Sequence, residues 1–489
     1  DPDADVRRHG VRLCEGALRK GFADVTAEQA GALAEALSAL VNDESARVRQ
    51  QLAFTMGEWR DARAGQILGR LALKDQNDRN VMTAIMSSAV PHLAEMIDVV
   101  VNVEGGREPS GELVEQTLGL AAALDLQHSV ADALNAVAGD EGAPLAAWKL
   151  QAVVGFLGAL DGRNTTLAKF EKEASPELKE AIGRLDRVFV HARKVTQDPD
   201  ADLGERLTAV RILGHGLQKI DEDSEALSAM LNARNPVDVQ KAALESLRKV
   251  RHASTPDFLI RGWSSYTPAI RVTVADALLS RRDWLTKLLD AIQKHQISGS
   301  QISVAHRQKL TGHRDKEIRE RAGRLFTAVG SNRAGIIEEY QVVNRLVGDP
   351  RKGREMFRAA CMVCHRYRDE GNEIGPDMAS MSGKAVPDLL TAILDPNAAV
   401  EDKFISYTAT LRGDREVAGV IASETPTTLI FKTAAGATET VLRRDLLNLK
   451  ATGLSLMPEG FEAAIKPQTM ADLIAYIGGG VGAEVKAKK

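Results

Sequence analysis

Cysteine is scarce in this sequence, which has three in 489 residues. Two of them, Cys361 and Cys364, have only two residues between them, and Cys14 is far from both. Small secreted domains that depend on disulfide bonds use several cysteine pairs. The cysteine count therefore excludes a disulfide framework.

Aromatic residues, excess charge and long apolar runs are missing as well. Aromatics make up 4% of the chain while Ala and Leu are abundant, and this balance favours helices over β-sandwiches. The formal net charge of -4 gives no electrostatic reason to expect a nucleic acid as partner. No apolar run approaches the length that spans a bilayer, so we expect no transmembrane segment.

One pattern recurs before residue 345: a turn rich in Asp, Asn or Pro, a Val, Ile or Leu near an Arg, and an Ala-rich amphipathic helix. It occurs at Asp1–Leu13, Asn42–Phe54, Asp198–Leu213, Asn232–Leu247, Ser265–Leu279 and Gly312–Phe326. Its Asp and Asn side chains can cap helix starts, and its apolar residues form a core-facing stripe. The spacing is 42 residues from Val6 to Val48, 36 from Leu203 to Val239 and 31 from Val239 to Ile270, near the period of HEAT and armadillo units. The pattern predicts a HEAT-like α-solenoid; a helical domain with a non-periodic core is the alternative.

Shorter elements follow after Pro350. We predict helices at Gly353–Ala360, Val386–Leu394 and Met470–Ile477. Between Phe404 and Leu449 apolar residues alternate with polar ones, and turn residues divide the stretch into five short strands. The alternation would bury one face of this sheet, including Ile405, Tyr407, Val420, Leu429 or their neighbours. The whole chain is therefore predicted to be mainly α, with a small antiparallel β insert.

The segment Cys361-Met362-Val363-Cys364-His365 is a C-x-x-C-H, the attachment signature of c-type haem. Its two thiols can add across the vinyl groups of a porphyrin while the adjacent His365 points a ring nitrogen at the iron. A thioredoxin-like redox pair would need a βαβ setting, and a structural zinc site needs four ligands. No second cysteine pair exists, and no histidine follows His365. The motif predicts one covalent haem c with His365 as the proximal ligand.

The surroundings of the motif agree with this interpretation. Phe357, on the preceding helix, can wall the haem. Gly375-Pro376 resembles the place where cytochromes c set a backbone carbonyl against the proximal histidine, which fixes the tautomer and orientation of the imidazole. An ordinary turn is the alternative for this Gly-Pro pair.

The second axial ligand is expected to be a methionine, whose thioether raises the potential of haem. The candidates are Met378, Met381, Met457 and Met470. Most methionines only fill cores. Met457 is favoured because it precedes Pro458 in a loop that can hold a ligand without straining a helix, whereas Met378 and Met381 follow the motif on its proximal side by chain reach.

From about residue 348 to 479 the sequence resembles the haem-binding domain of the planctomycete and verrucomicrobium type, a cytochrome c core interrupted by a strand-rich insert. The matching segments are Gly353–Phe357, Cys361–His365, Ile374–Met378, Ile393–Val400, Gly419–Thr425, Ser455–Phe461 and Asp472–Ile477. The resemblance implies thioether attachment at both cysteines and ligation of the iron by His365 and Met457. The repeats before it resemble the HEAT-like region that often accompanies this domain.

Four parts follow from these patterns and the resemblance. They are a HEAT-like repeat domain at 1–345, the first part of a cytochrome c core at 346–403, the β insert at 404–450, and the second part of the core at 451–489. Covalent haem attachment takes place outside the cytoplasm in the systems that this motif implies. We therefore expect a periplasmic or otherwise exported monohaem cytochrome that transfers electrons.

Partners and alternatives also follow from the resemblance. Related proteins often have a sugar- or alcohol-dehydrogenase-like propeller upstream, but no propeller sequence occurs here, so dehydrogenase activity is not carried over. We expect the chain to work with an exported dehydrogenase module and an electron acceptor, docked through the solenoid; a solenoid that is only a spacer is the alternative. One rival function is a scaffold whose haem senses redox state or gas. A peroxidase-like site ranks last, since no distal histidine is evident.

Overall fold

A computed structural model describes residues 1–23, 25–102, 108–140, 142–250, 252–327, 333–398, 400–434 and 436–478. The chain forms two compact units, Asp1–Ala226 and Leu227–Lys489. The protein is mainly helical with a small antiparallel sheet near its C-terminus, as predicted. Within the described ranges no single helix is long and apolar enough to cross a membrane; Arg79–Ser88 and Val90–Val101, bent by 71°, meet that test only as a pair.

Several helices that begin in the first unit pack on a helix two or three places along the chain, for example α1 on α4, α4 on α6, and α5 on α7. They are α1 (Ala4–Leu13), α2 (Glu15–Arg19), α3 (Ala27–Ala39), α4 (Ala46–Met56), α5 (Ala62–Asp75), α6 (Arg79–Ser88), α7 (Leu93–Val101), α8 (Gly111–Ala123), α9 (Gln127–Ala138), α10 (Ala147–Gly162), α11 (Leu167–Glu173), α12 (Pro176–Arg184), α13 (Asp186–Gln197), α14 (Leu203–Ile212) and α15 (Ile220–Met230).

Two arginines of the first unit repeat one geometry. Arg7 and Arg49 each occupy the fourth position of a helix and donate through Nη1 to the carbonyl six residues earlier, over 2.8 Å to Asp1 and 2.7 Å to Asp43. Each also pairs with a later carboxylate, Arg7 with Asp43 at 2.7 Å and Arg49 with Asp75 at 2.6 Å. Arg49 follows Arg7 by 42 residues, one of the spacings on which the repeat was predicted. The local structure therefore recurs at that spacing.

The predicted helix caps are found at some of the repeat starts. Asp3 and Asp202 each accept hydrogen bonds from two backbone N–H groups at the starts of α1 and α14. Ser45 makes no such bond before α4, and neither does Thr267 before the later helix that begins at Pro268. Proline suits a first helical position because its missing N–H would have no partner there.

The second unit contains the remaining helices and the sheet. Its helices are α16 (Val237–Val250), α17 (Thr255–Arg261), α18 (Pro268–Leu279), α19 (Arg282–Gln293), α20 (Val304–Thr311), α21 (Lys316–Thr327), α22 (Ala334–Glu339), α23 (Pro350–Met356), α24 (Val386–Leu394) and α25 (Pro467–Ile477). The bounds predicted for α24 are confirmed. The last helix begins earlier than predicted, because Pro467 supplies a favourable first residue.

All five predicted strands are present, in the order β4-β3-β2-β1-β5 with every pairing antiparallel. They are β1 (Ile405–Leu411), β2 (Glu416–Glu424), β3 (Thr428–Lys432), β4 (Thr438–Leu442) and β5 (Leu446–Ser455). Burial alternates strictly along β1, as its sequence predicted. Ile405, Tyr407 and Leu429 belong to one hydrophobic core. Val420 is buried outside that core, whereas its neighbour Ile421 belongs to it.

The core of the sheet includes Ala233, and two buried side chains of the sheet region bond to segments that precede residue 345. The buried hydroxyl of Tyr407 donates to the carbonyl of Tyr266 over 3.1 Å. The guanidinium of Arg443, 2% exposed, donates to the carbonyl of Ala233 and to Glu424. All of these contacts lie within the second unit, Leu227–Lys489.

Candidate functional site: the C-x-x-C-H segment

The helix before the motif ends in an unusual turn. After α23, residues Phe357–Cys361 form a π-helical turn, and the N–H of Met362 donates to the carbonyl of Phe357 over 2.9 Å. The N–H of His365 then donates to the carbonyl of Cys361 over 2.9 Å. Single π turns occur often at functional sites. This one places Cys361, Cys364 and His365 on consecutive tight turns, close to one another.

Phe357 lies in the crossing between α23 and α25. Its side chain is fully buried, and its ring centroid is 5.7 Å from that of Tyr476 and 6.2 Å from that of Tyr367. Tyr367 and Tyr476 meet edge to face at 5.0 Å. Tilted and edge-to-face arrangements are the favourable ones for aromatic rings. The contacts of Phe357 therefore hold two helices together, and its expected place beside a haem stays a prediction.

His365 is held by the backbone of the loop that follows it. Its Nδ1 is 2.8 Å from the carbonyl oxygen of Pro376, so Nδ1 carries the proton and donates it. The expected bond between these two residues is therefore present. The other ring nitrogen, Nε2, has no hydrogen-bond partner among the described residues. Burial lowers the pKa of His365, which keeps the imidazole neutral at pH 7.

Gly375 lies against the face of this imidazole. A β-carbon on Gly375 would lie 2.5 Å from Cε1 and 3.0 Å from Nε2 of His365. Any larger residue would therefore have to displace the ring. Together, Gly375 and the carbonyl of Pro376 fix both the position and the rotation of the imidazole.

Hydrogen bonds to backbone carbonyls hold the loop of residues 372–375 against the motif. The N–H groups of Ile374 and Gly375 both donate to the carbonyl of Cys364, over 3.0 and 2.8 Å. Asn372 donates from its backbone to the carbonyl of Met362 over 3.1 Å and from its side chain to that of Val363 over 3.0 Å. The sequence analysis did not predict the role of Asn372, because no spacing rule identifies an asparagine that binds a loop to the backbone of a preceding turn.

The two thiols differ from those of a redox pair. Cys361 and Cys364 are both free. Burial, together with the neighbouring Cys364, raises the pKa of Cys361 to about 11. Burial also raises the pKa of Cys364. A thioredoxin-like C-x-x-C motif needs the opposite shift, since its reactive cysteine must be a thiolate near neutral pH.

An ion cluster stabilises the same turn from outside. Glu370 accepts from both Arg354 and Arg358, with 2.9 Å between Oε2 of Glu370 and Nε of Arg358. Hydrogen bonds from Arg358 and then Arg354 lower the pKa of Glu370 to about 2. The Glu370 backbone also exchanges hydrogen bonds with that of Tyr367, so the cluster ties α23 to the loop after the motif.

The four candidate methionines occupy different surroundings. Met470 is fully buried in α25 and belongs to the hydrophobic core around Phe357, where it acts as a filler. Met378 and Met381 are half-buried against the same core, and the N–H of Met378 donates to the carbonyl of Arg366 over 2.8 Å. Met378 and Met381 therefore lie close to the segment that directly follows His365.

Met457 lies on a separate segment after β5 and is half-buried. Its N–H donates to Oγ of Ser455 over 3.1 Å. Asn397 fixes both ends of this segment, through Ser455 at 2.8 Å and Glu459 at 2.5 Å. The described contacts do not join Met457 to His365, so its role as a ligand stays a prediction.

The donor set suits a haem c better than a metal ion alone. Two neighbouring neutral thiols are available for thioether bonds, and one neutral imidazole offers a free Nε2 in a fixed orientation. Within the described ranges, the one group of three His, Cys, Asp or Glu side chains close enough to hold a metal ion is the exposed set His128, Asp132 and Glu177. The C-x-x-C-H segment therefore lacks the four ligands of a structural zinc site.

No model of a known protein family matches this chain, and no curated protein matches it. The likeness to a haem-binding domain therefore depends on the motif segments and on the geometry around His365.

Proposed function

We propose that this protein is a monohaem c-type cytochrome that transfers electrons. The haem would be bound covalently through Cys361 and Cys364, with His365 as proximal ligand. The observation that carries the proposal is the fixed imidazole: Nδ1 donates to Pro376, Gly375 supports the ring, and Nε2 is left for the iron. In metal-bound histidines, the ring nitrogen that does not bind the metal commonly donates its proton to a group such as a backbone carbonyl.

The residues around the motif supply binding and orientation. A bound haem c supplies a metal that accepts and releases one electron. Pro376 keeps the Nδ1 proton in place, which makes Nε2 the better donor to the iron. Val363, between the two cysteines, is 49% exposed. The segment that would carry the haem edge therefore reaches the surface, where a redox partner can approach it.

We propose Met457 as the distal ligand and the segments 346–403 and 451–489 as the two parts of a cytochrome c core, with the sheet as an insert. Residues 479–489 lie outside the described residues. The crossing of α23 with α25 supports this division, because it joins the segment before the motif to the segment after the insert. The sheet offers no His, Met or Cys from 404 to 450, so it would not ligate the iron.

The helices before the core are proposed to be HEAT-like repeats that dock a partner. The recurring Arg7 and Arg49 geometry supports a repeated unit. Export, together with an exported dehydrogenase module and an electron acceptor as partners, completes the proposal. Crosslinking and size-exclusion measurements on native material test it: a strictly monomeric protein without crosslinks from residues 1–345 would contradict docking and leave the haem proposal standing.

Haem staining after denaturing electrophoresis tests the central proposal. The wild-type band should keep its colour, because thioether bonds survive denaturation. A protein in which both Cys361 and Cys364 are replaced by Ser should lose it, while the control Cys14→Ser should not. Colour that persists in the double variant, or a colourless wild type produced with a haem-attachment system, would overturn the proposal.

The second candidate is a scaffold whose haem senses redox state or gas. It differs from the first at the sixth position of the iron, which Met457 would fill in an electron-transfer protein and which would be open or readily displaced in a sensor. Visible spectra of the ferrous protein with and without carbon monoxide separate the two candidates. An electron-transfer protein with both axial positions filled should show little change, whereas rapid and complete carbon monoxide binding would favour the sensor.

A further inference from the structure

Lys432, the last residue of β3, joins the sheet to the loop that follows the motif. Its ammonium group donates to the backbone carbonyl of Glu373. Gly436, between β3 and β4, faces the same loop: a β-carbon there would lie 3.6 Å from Nδ2 of Asn372. The tip of this hairpin therefore meets the loop at two consecutive residues.

This point of contact is two residues from the surface that supports His365. Gly375 follows Glu373 by two positions, and its N–H is bound to the carbonyl of Cys364 at 2.8 Å. Because the segment from Glu373 to Gly375 is short and held by backbone hydrogen bonds, a displacement of Glu373 also displaces Gly375. Whatever fixes the Glu373 carbonyl therefore helps to fix Gly375 and the imidazole against it.

The sheet is also anchored on the segments that precede α16 and α18. Tyr407 of β1 donates to the carbonyl of Tyr266, and Glu424 of β2 accepts from Thr267 over 3.1 Å. Arg443, just after β4, donates to the carbonyl of Ala233. The sheet region is therefore bonded to Ala233, Tyr266 and Thr267 and, through Lys432, to the loop after the motif.

We propose that Lys432 is a positioning residue for the proximal histidine, through which the sheet holds the loop beneath His365. This inference rests on the proposed cytochrome function and adds a role for the insert. The positive charge of Lys432 also opposes accumulation of positive charge at the iron, so it favours the ferrous state.

The test compares haem-loaded Lys432→Met and Lys432→Arg with a matched control, Lys450→Met. Lys450 is an exposed lysine on β5 of the same sheet. Amide hydrogen exchange at Ile374 and Gly375 should become at least about tenfold faster in Lys432→Met, since a charge-assisted hydrogen bond is lost. The reduction potential should fall in the same variant. Lys432→Arg should restore both properties, and Lys450→Met should change neither.

The outcomes separate this inference from the proposed function. Suppose that all variants hold haem, but Lys432→Met and Lys450→Met have the same amide exchange rates at Ile374 and Gly375 and the same reduction potential. The positioning role is then wrong, and the cytochrome proposal stands. If the wild type holds no haem, the cytochrome proposal fails. Exchange at Ile374 and Gly375 in the haem-free protein then still reports whether Lys432 holds the loop.

Discussion

Gly353 lies so close to the backbone of Asp472 that a β-carbon on Gly353 would stand 2.0 Å from the Asp472 carbonyl oxygen. This contact sets the distance between α23 and α25 and with it the frame of the motif. Gly353→Ala should therefore lower the free energy of unfolding by about 3 kcal/mol, the upper part of the range for overpacking. Gly335→Ala is the matched control, because a β-carbon on that exposed helical glycine would meet nothing within 4 Å. Denaturant unfolding measures both; equal stability of the two variants would mean that the helices separate without cost.

Gly375→Ala should displace the imidazole of His365. A β-carbon there would overlap the ring, so the haem content per protein should fall and the spectrum of the remaining haem should change. Gly383→Ala, later in the same loop and free of neighbours within 4 Å, should behave like wild type. A normal haem spectrum in Gly375→Ala would show that the ring contact does not orient the ligand.

Met457→Ala should abolish the weak near-infrared charge-transfer band of methionine-ligated ferric haem and lower the reduction potential, since a soft thioether raises it. Met378→Ala and Met381→Ala should leave both nearly unchanged. Absorbance spectroscopy and redox titration give the result. Loss of the band in Met378→Ala alone would move the distal assignment to the loop beside Arg366.

The Glu370 cluster predicts a defined pH dependence. The pKa of Glu370 is lowered from its ordinary value of 4.5 to about 2 in the folded state. Its ion pairs therefore contribute their full stabilisation at pH values above 4.5. That contribution is lost as the pH falls from 4.5 towards 2. Glu370→Gln should reduce stability at neutral pH and weaken its pH dependence within this window, as followed by unfolding at several pH values. The exposed neighbour Asp369 provides the control, Asp369→Asn; a Glu370→Gln profile that follows it would contradict the prediction.

Tyr407→Phe should weaken the contact between the sheet and the helices. The substitution leaves the buried Tyr266 carbonyl without its 3.1 Å hydrogen bond, at a cost of about 1 kcal/mol. Thr410→Val, on the same strand but not on the core face, is the control. Thermal unfolding is the measurement, and a Tyr407→Phe protein as stable as Thr410→Val would show that the bond contributes nothing.

The parts that sequence reasoning predicted correctly depend on local patterns. The strands follow from a period of two between turn residues, and the bond from His365 to Pro376 follows from a fixed offset. Contacts between distant residues have no such pattern. Tyr407 and Tyr266 are 141 residues apart, and Lys432 follows Glu373 by 59. Phe357 packs against Tyr476, which lies 119 residues later in the chain, and no sequence pattern predicts that contact.

The shared core of the sheet and its helices determines how the protein can be dissected. A fragment that starts at residue 346 would keep Tyr407 and Arg443 but lose the carbonyls of Tyr266 and Ala233 that accept from them. The part of the sheet that these residues cover, which shares a hydrophobic core with Ala233, would be exposed to water, and exposing apolar surface lowers stability. We therefore expect a fragment with the C-x-x-C-H motif to be most stable when it keeps the segments of Ala233 and Tyr266 together with the sheet.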